Sequence, residues 1–165
     1  MASPPKVRKE IEGQLLLARA LIPDRIAERV TEDYIGPSIP RLEPWETQVW
    51  DIGEKIRQLL ATAPALRRDE ALGRQFLEIS LDRRARGGRQ SFMMLLGFKS
   101  FAALAKELTS ELADDDVCGH VVWALYRAKV RGQWEQVRLL CDHKRTWIRQ
   151  EARRYVAWDT RLRVV

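Results

Sequence analysis

The chain has 165 residues, of which 45% are hydrophobic, and this is enough for one domain with a substantial buried core. It carries 29 Lys and Arg against 23 Asp and Glu, a net charge of +6, and its two cysteines are too few for a disulfide framework. The opening MASPPKVRKEIEGQ lacks the apolar run of a signal peptide, and no apolar stretch approaches the roughly 18 residues that a membrane helix needs. We therefore expect a soluble cytoplasmic protein that does not act at a membrane.

The basic excess is concentrated at the C-terminal end. Residues 1–126 contain 18 basic and 19 acidic residues, a net charge of −1, whereas residues 127–165 contain 11 basic and 4 acidic residues, a net charge of +7. A concentrated positive charge raises the local potential and favours an anionic partner.

Proline and glycine divide the chain into helical pieces, and no stretch shows the sustained two-residue alternation of a half-buried strand. A first helix begins near Ser3 and ends at Pro23. Asp24 can cap a short second helix, and the proline-rich IGPSIPRLEPW is expected to form an irregular connection. A third helix is predicted over about 46–61. Its apolar face consists of Val49, Ile52, Ile56 and Leu59. We expect these elements to form an N-terminal helical cap over residues 1–64.

From residue 65 onward the sequence repeats itself with a period of about thirty residues. GRQSFMMLL, VCGHVVWAL and IRQEARRYV share a pattern, and each follows another amphipathic segment. The repetition predicts three helix pairs. Each pair has one apolar face that the next pair covers, and VVWALY, which is apolar almost all round, is suited to the middle pair.

The repetition resembles HEAT-type helical repeats, in which an acidic turn leads into a second helix that starts with an apolar residue and Arg. The match covers 69–158, although Cys118 replaces the usual Arg in the second copy and Gly88 replaces an apolar residue in the first. The resemblance implies an all-α fold: a short right-handed α-solenoid of about three HEAT-like helix pairs over residues 65–165, continuous with the cap.

In HEAT-type stacks the Arg of the second helix tends to bond a nearby acidic residue of the turn. The resemblance therefore implies structural bonds from Arg89 to Asp82 and from Arg149 to Asp142.

Each of the two cysteines lies beside one of the two histidines, as Cys118 with His120 and Cys141 with His143. The Cys-x-His spacing differs from the Cys-x(2–4)-Cys and His-x(3–5)-His of structural zinc sites, although stacking would bring both pairs to one edge of the array. We expect no metal and no cofactor, with the cysteines as small buried residues, His120 on the helix surface and His143 in a turn. The acidic run 114–116 is expected to cap the helix that follows.

The third copy mixes basic and aromatic residues. Arg145, Arg149 and Arg153 are four apart and are predicted to line one face of a helix. Such a mixture can anchor a protein interface or hold phosphates and bases. The alternative interpretation is a solvated charged face with tryptophans that pack between helices. The candidate partner-binding residues are Arg138, Lys144, Arg145, Trp147, Arg149, Arg153, Arg154 and Trp158.

The sequence contains no G-x-x-x-x-G-K-[ST], G-x-G-x-x-G behind a strand, H-E-x-x-H or G-x-S-x-G motif. We therefore expect a non-catalytic module that docks a partner protein with an acidic face and regulates or neutralises it, most concretely a toxin-immunity type protein. No small-molecule substrate is expected. The alternative is nucleic-acid binding through the basic C-terminal repeat, with an architecture similar to the HEAT-like DNA alkylation-repair glycosylases, whose catalytic Trp and Asp arrangement has no match here.

Overall fold

The computed structural model describes residues 3–26 and 42–161. Helices account for most of these residues, and no β-strand occurs among them, so the all-α prediction is confirmed. The short helix predicted after Asp24 and most of the proline-rich connection lie outside the described residues. Within the two described ranges, no helix is both long enough and apolar enough to cross a membrane.

Eight α-helices occur in the described ranges, several of them extended by 3-10 turns. The α-helices are α1 (Pro4–Leu21), α2 (Pro44–Thr62), α3 (Glu70–Leu81), α4 (Gln90–Leu95), α5 (Ala102–Glu107), α6 (Cys118–Ala128), α7 (Trp134–Val137) and α8 (Thr146–Thr160). The 3-10 segments are Pro64–Arg68, Arg83–Arg89, Lys99–Phe101, Leu108–Glu111 and Arg138–Asp142.

The N-terminal helices pack directly on the rest of the molecule. Val7, Ile11, Leu15 and Ala18 of α1 are buried, as their helical spacing predicts. Helix α2 begins with a capping box in which Glu43 and Glu46 bond each other's backbone N–H groups. The buried Glu46 also accepts the backbone N–H of Gly87 at 2.8 Å, which links α2 to the segment before α4.

Successive helices contact each other in pairs: α1 with α2, α3 with α4, α5 with α6, and α7 with α8. The second helices of these pairs also contact one another in the order α2, α4, α6 and α8. Helix α6 therefore lies between α4 and α8. Its Val121, Val122, Ala124 and Leu125 are fully buried, as expected for a helix that is covered on both sides.

The predicted bond from Arg89 to Asp82 is wrong. Arg89 is fully buried and donates to the carbonyl of Ser80 at 2.9 Å and to the carboxylates of Glu111 and Asp114 in the next pair. Asp82 instead caps the 3-10 segment Arg83–Arg89 by accepting the backbone N–H of Arg84 at 3.0 Å. The chain bends within that segment, which directs Arg89 away from Asp82 and toward the following pair.

The acidic run before α6 does not cap that helix with a side chain. Val117 is the N-cap residue and makes no side-chain cap bond. The Asp114 carboxylate accepts the N–H of Asp116 at 2.8 Å and also binds Arg89, while its carbonyl accepts the N–H of Cys118 at 2.8 Å. Asp114 therefore joins two helix pairs through Arg89.

Candidate functional site

Of the three arginines predicted to share one helix face, Arg149 and Arg153 lie four residues apart in α8, whereas Arg145 lies outside the helix. Arg145 precedes α8 as its N-cap residue with extended backbone dihedrals, so its side chain does not follow the helical repeat. It is 3% exposed, and its Nη1 donates to the carbonyl of Asp115 at 2.8 Å. The prediction was therefore wrong for Arg145, because the helix begins one residue after it.

Arg149 and Arg153 also bond backbone of their own repeat. Arg149 donates to the carbonyls of His143 and Lys144 at 2.7 and 3.0 Å, so the bond to Asp142 that the resemblance implied does not form. The exposed Arg153 donates to the carbonyl of Cys141 at 3.2 Å, and its Nη2 lies 3.6 Å from the Asp142 carboxylate. Both arginines hold the turn that precedes α8.

Trp147 packs between α6 and α8. A Cβ added at Gly119 would lie only 2.2 Å from the Trp147 ring, and the ring meets His120 edge to face at 5.1 Å. His120 is only partly exposed and lies against α8, whereas it was predicted to be on the helix surface. Burial, and then the charge of Arg145, lower the pKa of His120 to about 4, so the imidazole is neutral at pH 7.

Stacking brings one cysteine and one histidine together, but from different Cys-x-His pairs. The potential ligand atoms of Asp115, Cys118 and His143 all lie within 4.8 Å of one another. Cysteine sulfur, imidazole nitrogen and carboxylate oxygen are ligands that zinc accepts. Among the described residues, this trio is the group that could hold a metal ion.

The hydrogen bonds around this trio favour a structural role. The backbone N–H of Arg145 donates to Nδ1 of His143 at 3.1 Å, so the imidazole proton is on Nε2, 3.1 Å from Oδ1 of Asp115. Lys144 lies 2.7 Å from the same carboxylate, and its hydrogen bond lowers the pKa of Asp115. Burial raises the pKa of the Cys118 thiol to about 11. A cation would have to displace the Cys118 and His143 protons and compete with Lys144.

A compact group of aromatic rings and cations lies where α6 ends and α8 passes. Tyr126 and Trp158 meet edge to face, with ring centroids 5.5 Å apart. The Lys129 ammonium is 4.3 Å from the Tyr126 centroid and 5.2 Å from the Trp158 centroid. The Arg131 guanidinium lies 4.0 Å over Trp158, and that of Arg154 lies 4.6 Å over Tyr126. We call Tyr126, Lys129, Arg131, Arg154 and Trp158 the cationic aromatic cluster.

The loop between α6 and α7 positions this cluster. Lys129 ends α6 in the left-handed conformation, with φ 64°. The buried Asp159 carboxylate accepts the backbone N–H groups of Gly132 and Trp134 at 2.9 and 3.2 Å. Arg131 also donates to the carbonyl of Trp158 at 3.1 Å. The loop is therefore fastened to α8, and the two loop cations are held over the rings.

The cluster contains only part of the predicted set of partner-binding residues. Arg154 and Trp158 belong to it. Arg145, Trp147 and Arg149 are committed to contacts within the chain. Arg138, Lys144 and Arg153 are exposed outside the cluster, although Lys144 and Arg153 also bond other residues of the chain. Tyr126, Lys129 and Arg131 were not predicted. Their signal in the sequence is YRAKVR directly after the apolar VVWAL, where a helix end exposes its last turn.

Comparisons of this chain with family models, with curated proteins and with solved structures find no match.

Proposed function

We propose that this chain is a non-catalytic binding module that docks a partner protein with an acidic face and regulates or neutralises it. In this proposal the helix pairs are HEAT-like and stack as a short right-handed α-solenoid. The pairwise contacts and the succession from α2 through α4 and α6 to α8 support such a stack. The observation that carries the function is the cationic aromatic cluster.

The cluster has the composition of an interface anchor. Tyr, Trp and Arg are the residue types that contribute most to binding energy at protein interfaces. Lys129 and Arg131 are both exposed, and no ion pair to either of them occurs among the described residues. An acidic partner surface would supply the carboxylates that these cations lack. It would also exclude water, and a cation–π contact rises from about 0.5–1 kcal/mol when exposed to about 2 kcal/mol when desolvated.

The same geometry favours protein over nucleic acid at this site. Cations already cover the faces of Tyr126 and Trp158, so a base could stack there only by displacing them. A carboxylate can pair with the same cations without moving them from the rings. The +7 charge of residues 127–165 nevertheless supports phosphate binding as the second candidate, with binding that depends on salt and not on nucleic-acid sequence.

The most concrete form of the proposal is a toxin-immunity type protein. Neutralisation of a toxin by covering its active surface requires affinity and no chemistry. The charge of the C-terminal segment would speed the encounter with an acidic partner through electrostatic steering.

Affinity capture from the native cell tests the proposal. The wild-type chain is compared with Lys129→Glu/Arg131→Glu and with Lys55→Glu/Lys106→Glu, an equal charge change at exposed positions on α2 and α5. We expect the wild type and the control to retain the same protein and the cluster variant to lose it. With the purified partner, the cluster variant should associate more slowly, and the difference should shrink at high salt. Equal capture by the cluster variant would contradict the proposal.

Two further measurements separate the alternatives. Labelled single-stranded and double-stranded oligonucleotides are titrated at low salt. Binding that falls steeply with salt and is lost in the cluster variant would favour nucleic acid instead. The immunity form is tested by expression of the captured partner alone and with the chain, and it requires toxicity only in the first case.

A further inference from the structure

A groove of about 470 Å³ lies between α2, α4 and α6 and shares no residue with the cationic aromatic cluster. Helix α2 contributes Trp50 and Arg57 to its walls, and α6 contributes Trp123 and Arg127. Met94 of α4 and Phe98, which follows α4, lie between them. Its volume is within the range of sites that hold small ligands or anchoring side chains.

The groove exists because the central helix is short. Helix α4 has only six residues, whereas α2 has 19 and α6 has 11. Gly97, which follows α4, lets the Trp123 indole approach so closely that a Cβ at this position would lie 2.8 Å from the ring. The lining residues of α2 extend from Trp50 to Ala61, which corresponds to a length of about 16 Å. The groove is therefore elongated along α2.

Phe98 and Trp123 in the groove pack against the hydrophobic core, but core packing does not explain the rest of the large apolar lining. Trp50 and Met94 are only partly buried, and neither is among the side chains that pack against the hydrophobic core. Large apolar side chains held in a concave surface outside the core mark binding sites.

The polar part of the groove is positively charged. Arg57 pairs with Glu54 at 2.7 Å, and Glu54 is the only carboxylate among the described residues that line the groove. The Arg67 guanidinium lies 5.1 Å from the Phe98 centroid, and that of Arg127 lies 5.6 Å from the Trp123 centroid. No ion pair to Arg67 or Arg127 occurs among the described residues. The lining therefore has two more cations than anions.

We propose that this groove binds an acidic segment of the partner protein, with one large apolar side chain seated between Trp50 and Trp123 and carboxylates on Arg67 and Arg127. A groove about 16 Å long accommodates about five residues of extended chain. A base stacked on Trp123 would displace Arg127, whereas a carboxylate pairs with Arg127 in place. This inference rests on the proposed function, because the occupant belongs to the partner.

Selection from a phage-displayed library of random short peptides, against the immobilised full chain, tests the inference. We expect enriched peptides that combine acidic residues with one large apolar residue. In calorimetric titration these peptides should bind Trp50→Ala and Arg127→Glu about tenfold or more weakly than the wild type. Lys55→Glu, an exposed charge change on α2 outside the groove, should bind as the wild type does. No enriched motif, or equal binding by the groove variants, would overturn the inference.

A measurement on the wild type guards against variants that fail to fold. The indole N–H signals of the six tryptophans are followed by NMR while an enriched peptide is added. The Trp50 and Trp123 signals should shift and that of the interhelix Trp147 should not. If an oligothymidylate moves these two signals and the peptides do not, the groove takes nucleic acid and the inference is wrong.

The two proposals fail in different ways. The cluster variant Lys129→Glu/Arg131→Glu should keep its affinity for the selected peptides, because the groove is intact. Partner capture that survives loss of the cluster contradicts the proposed function. Peptide selection that returns no motif contradicts the inference about the groove and leaves the proposed function unaffected.

Discussion

Nη1 of Arg89 donates to Oε2 of Glu111 at 2.8 Å, and both side chains are almost completely buried between two helix pairs. Glu111 also binds Arg83, 3.2 Å away. Burial raises the pKa of Glu111, but hydrogen bonds from Arg83 and Arg89 outweigh that effect, so its net pKa is lowered. The ionised pair therefore joins the segment before α4 to the segment after α5.

Replacement of Arg89 by Met should reduce the free energy of unfolding by about 3–5 kcal/mol, because the Glu111 carboxylate would lose its buried partner. Urea unfolding measures the loss. Arg84→Met removes an exposed arginine that pairs with Asp82 and should cost no more than about 1 kcal/mol. Glu111→Met in the Arg89→Met background should recover part of the stability. A loss below that of Arg84→Met would show that the buried pair does not join the helix pairs.

Replacement of Gly119 by Ala should destabilise the contact between α6 and α8 by about 1–3 kcal/mol, because its Cβ would overlap the Trp147 ring. Gly13→Ala is the matched control, since nothing lies within 4 Å of a Cβ there and α1 should gain about 0.5–1 kcal/mol. Thermal unfolding compares the two variants. Trp147→Leu should relieve part of the Gly119→Ala defect, and equal melting temperatures for both Ala variants would contradict the packing.

His120 should make stability depend on pH. Its folded pKa of about 4 is below the unfolded value of about 6.5, so the unfolded state binds the additional proton between these values. The stabilisation is complete above pH 6.5 and is lost as the pH falls toward 4, by roughly 2–3 kcal/mol. Urea unfolding at several pH values measures the slope. His120→Phe, which keeps a ring against Trp147, should flatten the curve in this window. An unchanged slope in that variant would assign the dependence to another group.

Purified protein should contain no stoichiometric zinc, because Asp115 and His143 are hydrogen-bonded to each other and the Cys118 thiol is protonated at neutral pH. Elemental analysis tests this directly. Chelators should not change the melting temperature of the wild type or of Cys118→Ala. Bound zinc that is lost in Cys118→Ala would make the trio a metal site.

The helices follow from the sequence because each must bury one face, and this requires apolar residues at helical spacing. Val7, Ile11 and Leu15 in α1, and the continuous apolar run in α6, show that requirement before any tertiary contact is known. Both cysteines were predicted to be small buried residues, and this is confirmed for Cys118, whereas Cys141 is only partly buried. Local spacing thus determined the all-α class and most of the helices.

The partners of the charged residues could not be read from local spacing. Arg89 prefers Glu111 and Asp114 of the next pair to the nearby Asp82, and Arg145 is buried because α8 begins one residue later than the arginine spacing suggested. The contact of His120 with Trp147 likewise joins two different helices.

The candidate binding surfaces were decided by the tertiary structure. Trp50 and Trp123 come from different helix pairs and line one groove only because the short α4 lies between α2 and α6. Tyr126 and Trp158 meet because α6 and α8 contact each other, and the Asp159 carboxylate fastens to α8 the loop that follows α6. The sequence determined which faces are apolar, since burial acts on each helix separately. How the helices meet depends on the shapes and hydrogen bonds of whole elements, and those contacts decided which aromatic and basic residues share a surface.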